Sequence, residues 1–189
     1  MSGPRAGGPL SEPVVAAWIA TAVDIPLYTL AAALCVPAGA WVWGLLGGAS
    51  PGRVDTTEAA TLVATALIVA VGIASVAQTV GRWLHVRTLG VPRARSARSF
   101  ATMGGLLGLI PAAVIVAIAG SAAAIPFALI AVVLPCTVVA AATNVLLPRV
   151  AASLGAVTAF AVVAVICFLG AVGVLVLFQV TGRAAPIAD

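Results

Sequence analysis

Apolar residues run through this chain in five long stretches, at about 18–47, 58–84, 101–120, 125–147 and 154–181, separated by short polar segments. Crossing ~30 Å of hydrocarbon takes roughly 20 apolar residues in a helix, and in lipid a helix satisfies its own backbone hydrogen bonds. The pattern predicts an all-α polytopic membrane bundle of about five transmembrane helices. Residues 14–183 form that bundle. The Gly- and Pro-rich segment 1–13 is expected to be a disordered cytoplasmic tail, and 184–189 a short external one.

Within the first stretch, Trp18 and Trp41 would stand roughly 35 Å apart on a helix, with Trp43 beside the second, matching two interfacial aromatic belts. An alternative lays 14–24 on the membrane surface and starts the span at Leu27, using Pro26 as the break. Asp55 and Glu58 mark the start of the second helix, whose inner end carries Trp83. His85–Phe100 is the longest polar segment. Pro111 is placed to kink the third helix, Ser121–Ala124 is a tight connection, and Pro148-Arg149 ends the fourth helix.

Charge placement orients the bundle. All nine basic residues are Arg, and with the N-terminus inside, seven of them (Arg5, Arg82, Arg87, Arg93, Arg95, Arg98, Arg149) are cytoplasmic, against Arg53 and Arg183 outside. This excess predicts an N-in, C-out topology. The absence of Lys, with the wealth of Ala, Gly and Val, fits a GC-rich bacterial genome, so the expected location is a bacterial plasma membrane.

Composition narrows the function classes. Apolar residues make up 63% of the 189 and charged residues 7%, far below the quarter typical of soluble domains, and mean hydropathy is +1.24. The length leaves no room for a separate globular domain. The net charge of +4 does not signal nucleic acid, because the Arg residues lie between apolar runs. Cys35, Cys136 and Cys167 are scattered and apolar in context, so neither a metal nor another cofactor is expected. The stretch after Arg5 is too long for a cleaved signal and reads as a retained span.

One residue stands out. Asp24 interrupts the first apolar run, and a carboxylate within a span costs about 2.5–3.5 kcal/mol on insertion scales. The antiparallel order of the helices brings Gln78 and Arg82 of the second, and Thr143 and Asn144 of the fourth, near its depth. Asp24, Gln78, Arg82 and Asn144 thus form a candidate polar constellation from three helices. It can bind a cation or small polar solute, or pass a proton. An Asp24–Arg82 pair would instead clamp two helices, and shallow hydration or capping at Pro26 would make Asp24 structural. His85, the only His, reads as interfacial. Arg87, Arg93, Arg95 and Arg98 serve orientation and are candidates for anionic-lipid contact. No Ser/His/Asp set, paired carboxylates or phosphate loop occurs, which argues against an enzyme, a lipid-modifying one included.

Two segments carry a family resemblance. Ala17-Trp18-Ile19-Ala20-Thr21-Ala22-Val23-Asp24 resembles the opening helix of the RDD family of bacterial membrane proteins, in which an Arg is followed three residues later by Ala and seven later by Asp. Ala20 and Asp24 match, and Ala17 stands at the Arg position. Gln78-Thr79-Val80-Gly81-Arg82 is similar to the Thr-x-Gly-Lys/Arg segment that closes the family's second helix, with Arg87 one residue early for the pattern that follows. The stretch Val150–Ala156 is similar to the family's closing element, with Ala152 in place of its Asp. The resemblance implies a divergent RDD-like protein and, with it, ion or solute transport.

The sequence thus supports a transport component centred on Asp24, or a non-catalytic accessory or scaffold subunit. The latter would pack through small-residue stripes (Ala40, Gly44, Gly48; Gly104, Gly108, Ala112), which serve equally for packing within the bundle or against a second copy or a membrane-protein partner. In either case the lipid bilayer is the principal partner. Topology is checked by reporter fusions: green fluorescent protein should fluoresce when fused after Pro92, and alkaline phosphatase should be active when fused after Ala122. The converse pattern would invert the orientation.

Overall fold

The computed structural model describes residues 12–46, 71, 72, 75 and 78–182. Its elements are all helices, with no strand among the described residues. Helix α1 spans Pro13–Leu46, α2 covers 78–88, α3 spans Arg93–Ala119, α4 spans Ala124–Ala151 and α5 spans Leu154–Gly182. Four of them, α1, α3, α4 and α5, are long and apolar enough to cross a membrane, at 34, 27, 28 and 21 or more residues. The chain is a helical membrane bundle. Residues 47–70, which hold most of the expected second span together with Arg53, Asp55 and Glu58, lie outside the described residues, as do 1–11 and 183–189.

Several expected boundaries move. Helix α1 continues through Pro26 and Pro37 without a break, so Asp24 sits inside a continuous helix and caps nothing. The segment 85–100 is not a loop: α2 continues to residue 88, a turn occupies 89–91, and α3 starts at Arg93 instead of Ala101. Arg and Ala are strong helix formers, and Pro92 just before the first turn pre-sets the chain for helix entry. Polarity marked where the apolar stretch stops, not where the helix does. Likewise α4 passes through Pro148 to Ala151. Ser153 then caps α5, its hydroxyl accepting the Ala156 N–H at 3.3 Å.

Helix α4 lies at the centre, packed against α1, α3 and α5. Its approach to α3 is very close. A Cβ built on Gly104 would fall 2.5 Å from the Cys136 carbonyl oxygen and 2.7 Å from the Ala140 Cβ; one on Gly108 would meet the Val133 Cα at 3.2 Å. The Gly104–Gly108–Ala112 stripe is therefore an internal packing face, with Gly108 and Ala112 buried. At the far end the α3–α4 turn uses Gly120 in the left-handed region (φ 61°), closing α3 by donating to the Val116 carbonyl at 3.1 Å.

On its other side α4 meets α1 along most of its length. Ile19 and Val23 pack on Leu147 and Val150 near one end. Tyr28, Ala32 and Val36 pack on Ala131, Val132 and Cys136 further along, and Phe127 is part of the same cluster. The register is antiparallel. Residues Leu129–Val133 form a π turn that ends two residues before Pro135. A proline there cannot donate to the carbonyl four residues back and its ring would clash with it, so the wider turn relieves the conflict. Facing outward, Leu34, Ile110, Ile118, Ile166 and Leu169 are each at least 60% exposed, the surface expected against lipid chains.

Gly104→Ala should destabilise the bundle by about 1–3 kcal/mol, because neither the Cys136 carbonyl nor Ala140 can retreat without shifting a helix. Gly173→Ala, whose new Cβ would have no neighbour within 4 Å, should be neutral or slightly stabilising. Reversible unfolding in mixed micelles measures both.

Candidate functional site

Helical spacing lines up the polar residues of α1. Ala17, Thr21, Asp24 and Tyr28 follow one another by four, three and four positions, which puts them on a single face. Gln78, Arg82 and His85 do the same on α2, and Cys136, Ala140 and Thr143 on α4, with Asn144 beside them. All these residues line one cavity, which α3 completes with Phe100, Met103, Gly104 and Leu107. The cavity has a volume of about 130 Å³ and is open at one side. Along α1 it extends from Pro13 to Tyr28, roughly 22 Å of helix, so it reaches one end of the bundle and stops near the middle.

Two hydrogen bonds between helices organise the wall. Most of the described Thr and Ser hydroxyls inside the helices donate to a carbonyl one turn back, as Thr29 does to Ile25 and Thr137 to Val133. Thr143 is different. Its hydroxyl donates across the interface to Oδ1 of Asp24. The second bond runs from Gln78 Nε2 to Thr21 Oγ1 at 3.1 Å, while the Thr21 hydroxyl donates to the Ala17 carbonyl at 2.9 Å. Together they register α1 against both α4 and α2. Deeper in, the Tyr28 hydroxyl and the Cys136 Sγ lie 4.0 Å apart.

Asp24 makes no ion pair with Arg82, since no N···O contact within 4.0 Å joins them. Among the described residues every fully buried side-chain N or O atom has a hydrogen-bond partner. Asp24 lines the cavity, and the hydrogen bond from Thr143 to its Oδ1 is the one its carboxylate makes with a described side chain. Arg82 is exposed, at the end of the cavity nearer Pro13.

The four residues singled out by depth, Asp24, Gln78, Arg82 and Asn144, thus share one cavity. The clamp between Asp24 and Arg82 is not made, and Thr143 takes its place as the partner of the carboxylate. His85, expected at the interface, is half-buried and also lines the cavity. Thr21, Tyr28 and His85 carried a signal in the sequence, since each lies one helical turn from Asp24 or Arg82. Among the described residues no three His, Cys, Asp or Glu side chains meet as a metal site.

The Arg residues gather at the cavity's open end. Arg87 stacks on the Trp83 ring, 4.0 Å from its centroid. Arg93, Arg95 and Arg98 project from the first turns of α3 and Arg149 from the last turn of α4, all exposed. Every described Arg lies at this end. No family model matches the chain, and no curated protein or solved structure matches it either.

Thr143→Val removes the donor to Asp24 while keeping shape. It should cost about 0.5–1.7 kcal/mol, the range of hydrogen bonds between membrane helices, with Thr143→Ser retaining most of the stability. A double-mutant cycle with Asp24→Asn should return a coupling of similar size. Zero coupling would mean that the bond is not made in the bilayer.

Proposed function

We propose that this chain is a small RDD-like protein of a bacterial plasma membrane whose cavity receives an ion or small polar solute from the cytoplasm, as a component of transport. In this reading the Arg-bearing end is cytoplasmic, following the positive-inside rule. The observation that carries it is the Asp24 carboxylate on the cavity wall, held by Thr143 and joined by no ion pair among the described residues. A carboxylate kept only to join helices would be paired off, since an uncompensated acid inside a span opposes insertion. The exposed Arg87, Arg93, Arg95 and Arg98 would contact anionic headgroups at about 1 kcal/mol per charge.

The accessory or scaffold reading loses part of its support, because the α3 stripe offered for a partner is already covered by α4. Flux into proteoliposomes is the test. Asp24→Asn should lower the transport of whichever ion or solute the wild-type protein carries by at least about tenfold, given the role of intramembrane acids in such pathways, while leaving the fold intact by circular dichroism. Unchanged flux in a folded Asp24→Asn protein would overturn the proposal and favour the scaffold.

A further inference from the structure

Two opposite charges line the same cavity without touching. Asp24 comes from α1 and Arg82 from α2, and no N···O contact within 4.0 Å joins them. The hydrogen bond between Gln78 and Thr21 sets the relative level of the two helices. From that level Asp24 lies three residues deeper along α1, roughly 4.5 Å, and Arg82 lies four residues toward the bundle end along the antiparallel α2, roughly 6 Å. The charges are therefore staggered by about 10 Å of helix axis, the carboxylate deep and the guanidinium at the mouth. Between them the wall carries apolar Ala17, Ala20 and Val80 beside the mutually bonded Thr21 and Gln78.

We propose, building on the transport reading above, that the cavity takes a zwitterion, its cationic group at Asp24 and its anionic group at Arg82. A simple inorganic cation reaching Asp24 would meet a like charge at the mouth, and a simple anion at Arg82 would face the carboxylate behind it. A molecule with both charges, joined by a short apolar stem, satisfies each partner and lays its stem along Ala17, Ala20 and Val80. Bidentate contact from the Arg82 guanidinium suits a carboxylate or phosphate. The amides of Gln78 and Asn144 supply neutral hydrogen bonds on either side. Such a ligand enters amine first. Its chemistry belongs equally to a free amino acid with separated charges and to a phosphoethanolamine headgroup.

The test is calorimetric titration of the full chain in nanodiscs of phosphatidylglycerol with three probes: 4-aminobutanoate, butylammonium and butanoate. The zwitterion should bind at least tenfold more tightly than either single-charge analogue. Asp24→Asn should abolish that preference while keeping butanoate binding, and Arg82→Gln should abolish it while keeping butylammonium binding. Those retained affinities show that each variant is folded. Adding phosphatidylethanolamine to the nanodiscs separates the sources: unchanged 4-aminobutanoate binding assigns the site to a free solute, and competition assigns the same charge pairing to the headgroup. Butylammonium binding as tightly as the zwitterion, with Arg82→Gln inert, overturns the inference and leaves a cation site. Binding of none of the probes overturns it as well. Flux that still depends on Asp24 would then preserve the transport reading, and flux independent of Asp24 would end both.

Discussion

In hydrocarbon, apolar side chains gain little by leaving lipid for one another, so helices stay together where their surfaces can come very close or where polar groups bond across the gap. In this bundle the closest approach is α3 on α4, where Gly104 and Gly108 bring one backbone against the other at Cys136 and Val133. Other features follow from that contact. It fixes which face of α4 is left for α1, and so turns Thr143 toward Asp24. Gly39 repeats the device further along α1, where a Cβ would lie 3.2 Å from the Phe127 ring. The prolines of α1 and α4 are tolerated because these contacts run on both sides of them.

The interior that results is unequal along its length. Toward the α3–α4 turn, small and branched side chains fill the space between α1 and α4, and Trp43 packs on Phe127 with ring centroids 5.4 Å apart. Toward the other end the same helices surround an open cavity. Polar groups concentrate there because hydration reaches them, which is the condition under which a carboxylate can be kept inside a span. Thr143 and Thr21 direct their hydroxyls into contacts between helices, so the site and the packing share the same atoms. A change in cavity occupancy would therefore be felt in the register of α1, α2 and α4.

Charge is distributed just as unevenly. Every described Arg stands at the open end of the cavity, on α2, α3 and α4. The arrangement that orients a membrane protein also makes the potential at the cavity mouth positive, which draws anionic groups toward it. Asp24 lies deeper, beyond that ring. The stagger of the two charges is thus a consequence of where each can reside: Arg reaches headgroups and water with its long stem, whereas Asp, with a short one, stays where its helix puts it.

Apolar run lengths determined, from the sequence alone, the helical membrane class and the approximate positions of the four described spans, because the bilayer demands such lengths of any helix that crosses it. Antiparallel order was enough to gather Asp24, Gln78, Arg82 and Asn144 on one cavity, but it put Arg82 at the depth of Asp24, where the structure staggers the two by about 10 Å. Depth is one coordinate only. Which way each side chain faces depends on how the helices rotate and how closely they approach, and that is set by contacts such as Gly104 against Cys136, between residues distant in the chain. The continuity of α1 through Pro26 and of the α3 helix back to Arg93 was hidden for a related reason: hydropathy reports the solvent, while helix ends follow backbone geometry. Only the tertiary structure decided that Asp24 bonds to Thr143 and not to Arg82, because the level at which α2 meets α1 staggers the two charges by about 10 Å along the helix axis while α4 brings Thr143 directly to the carboxylate.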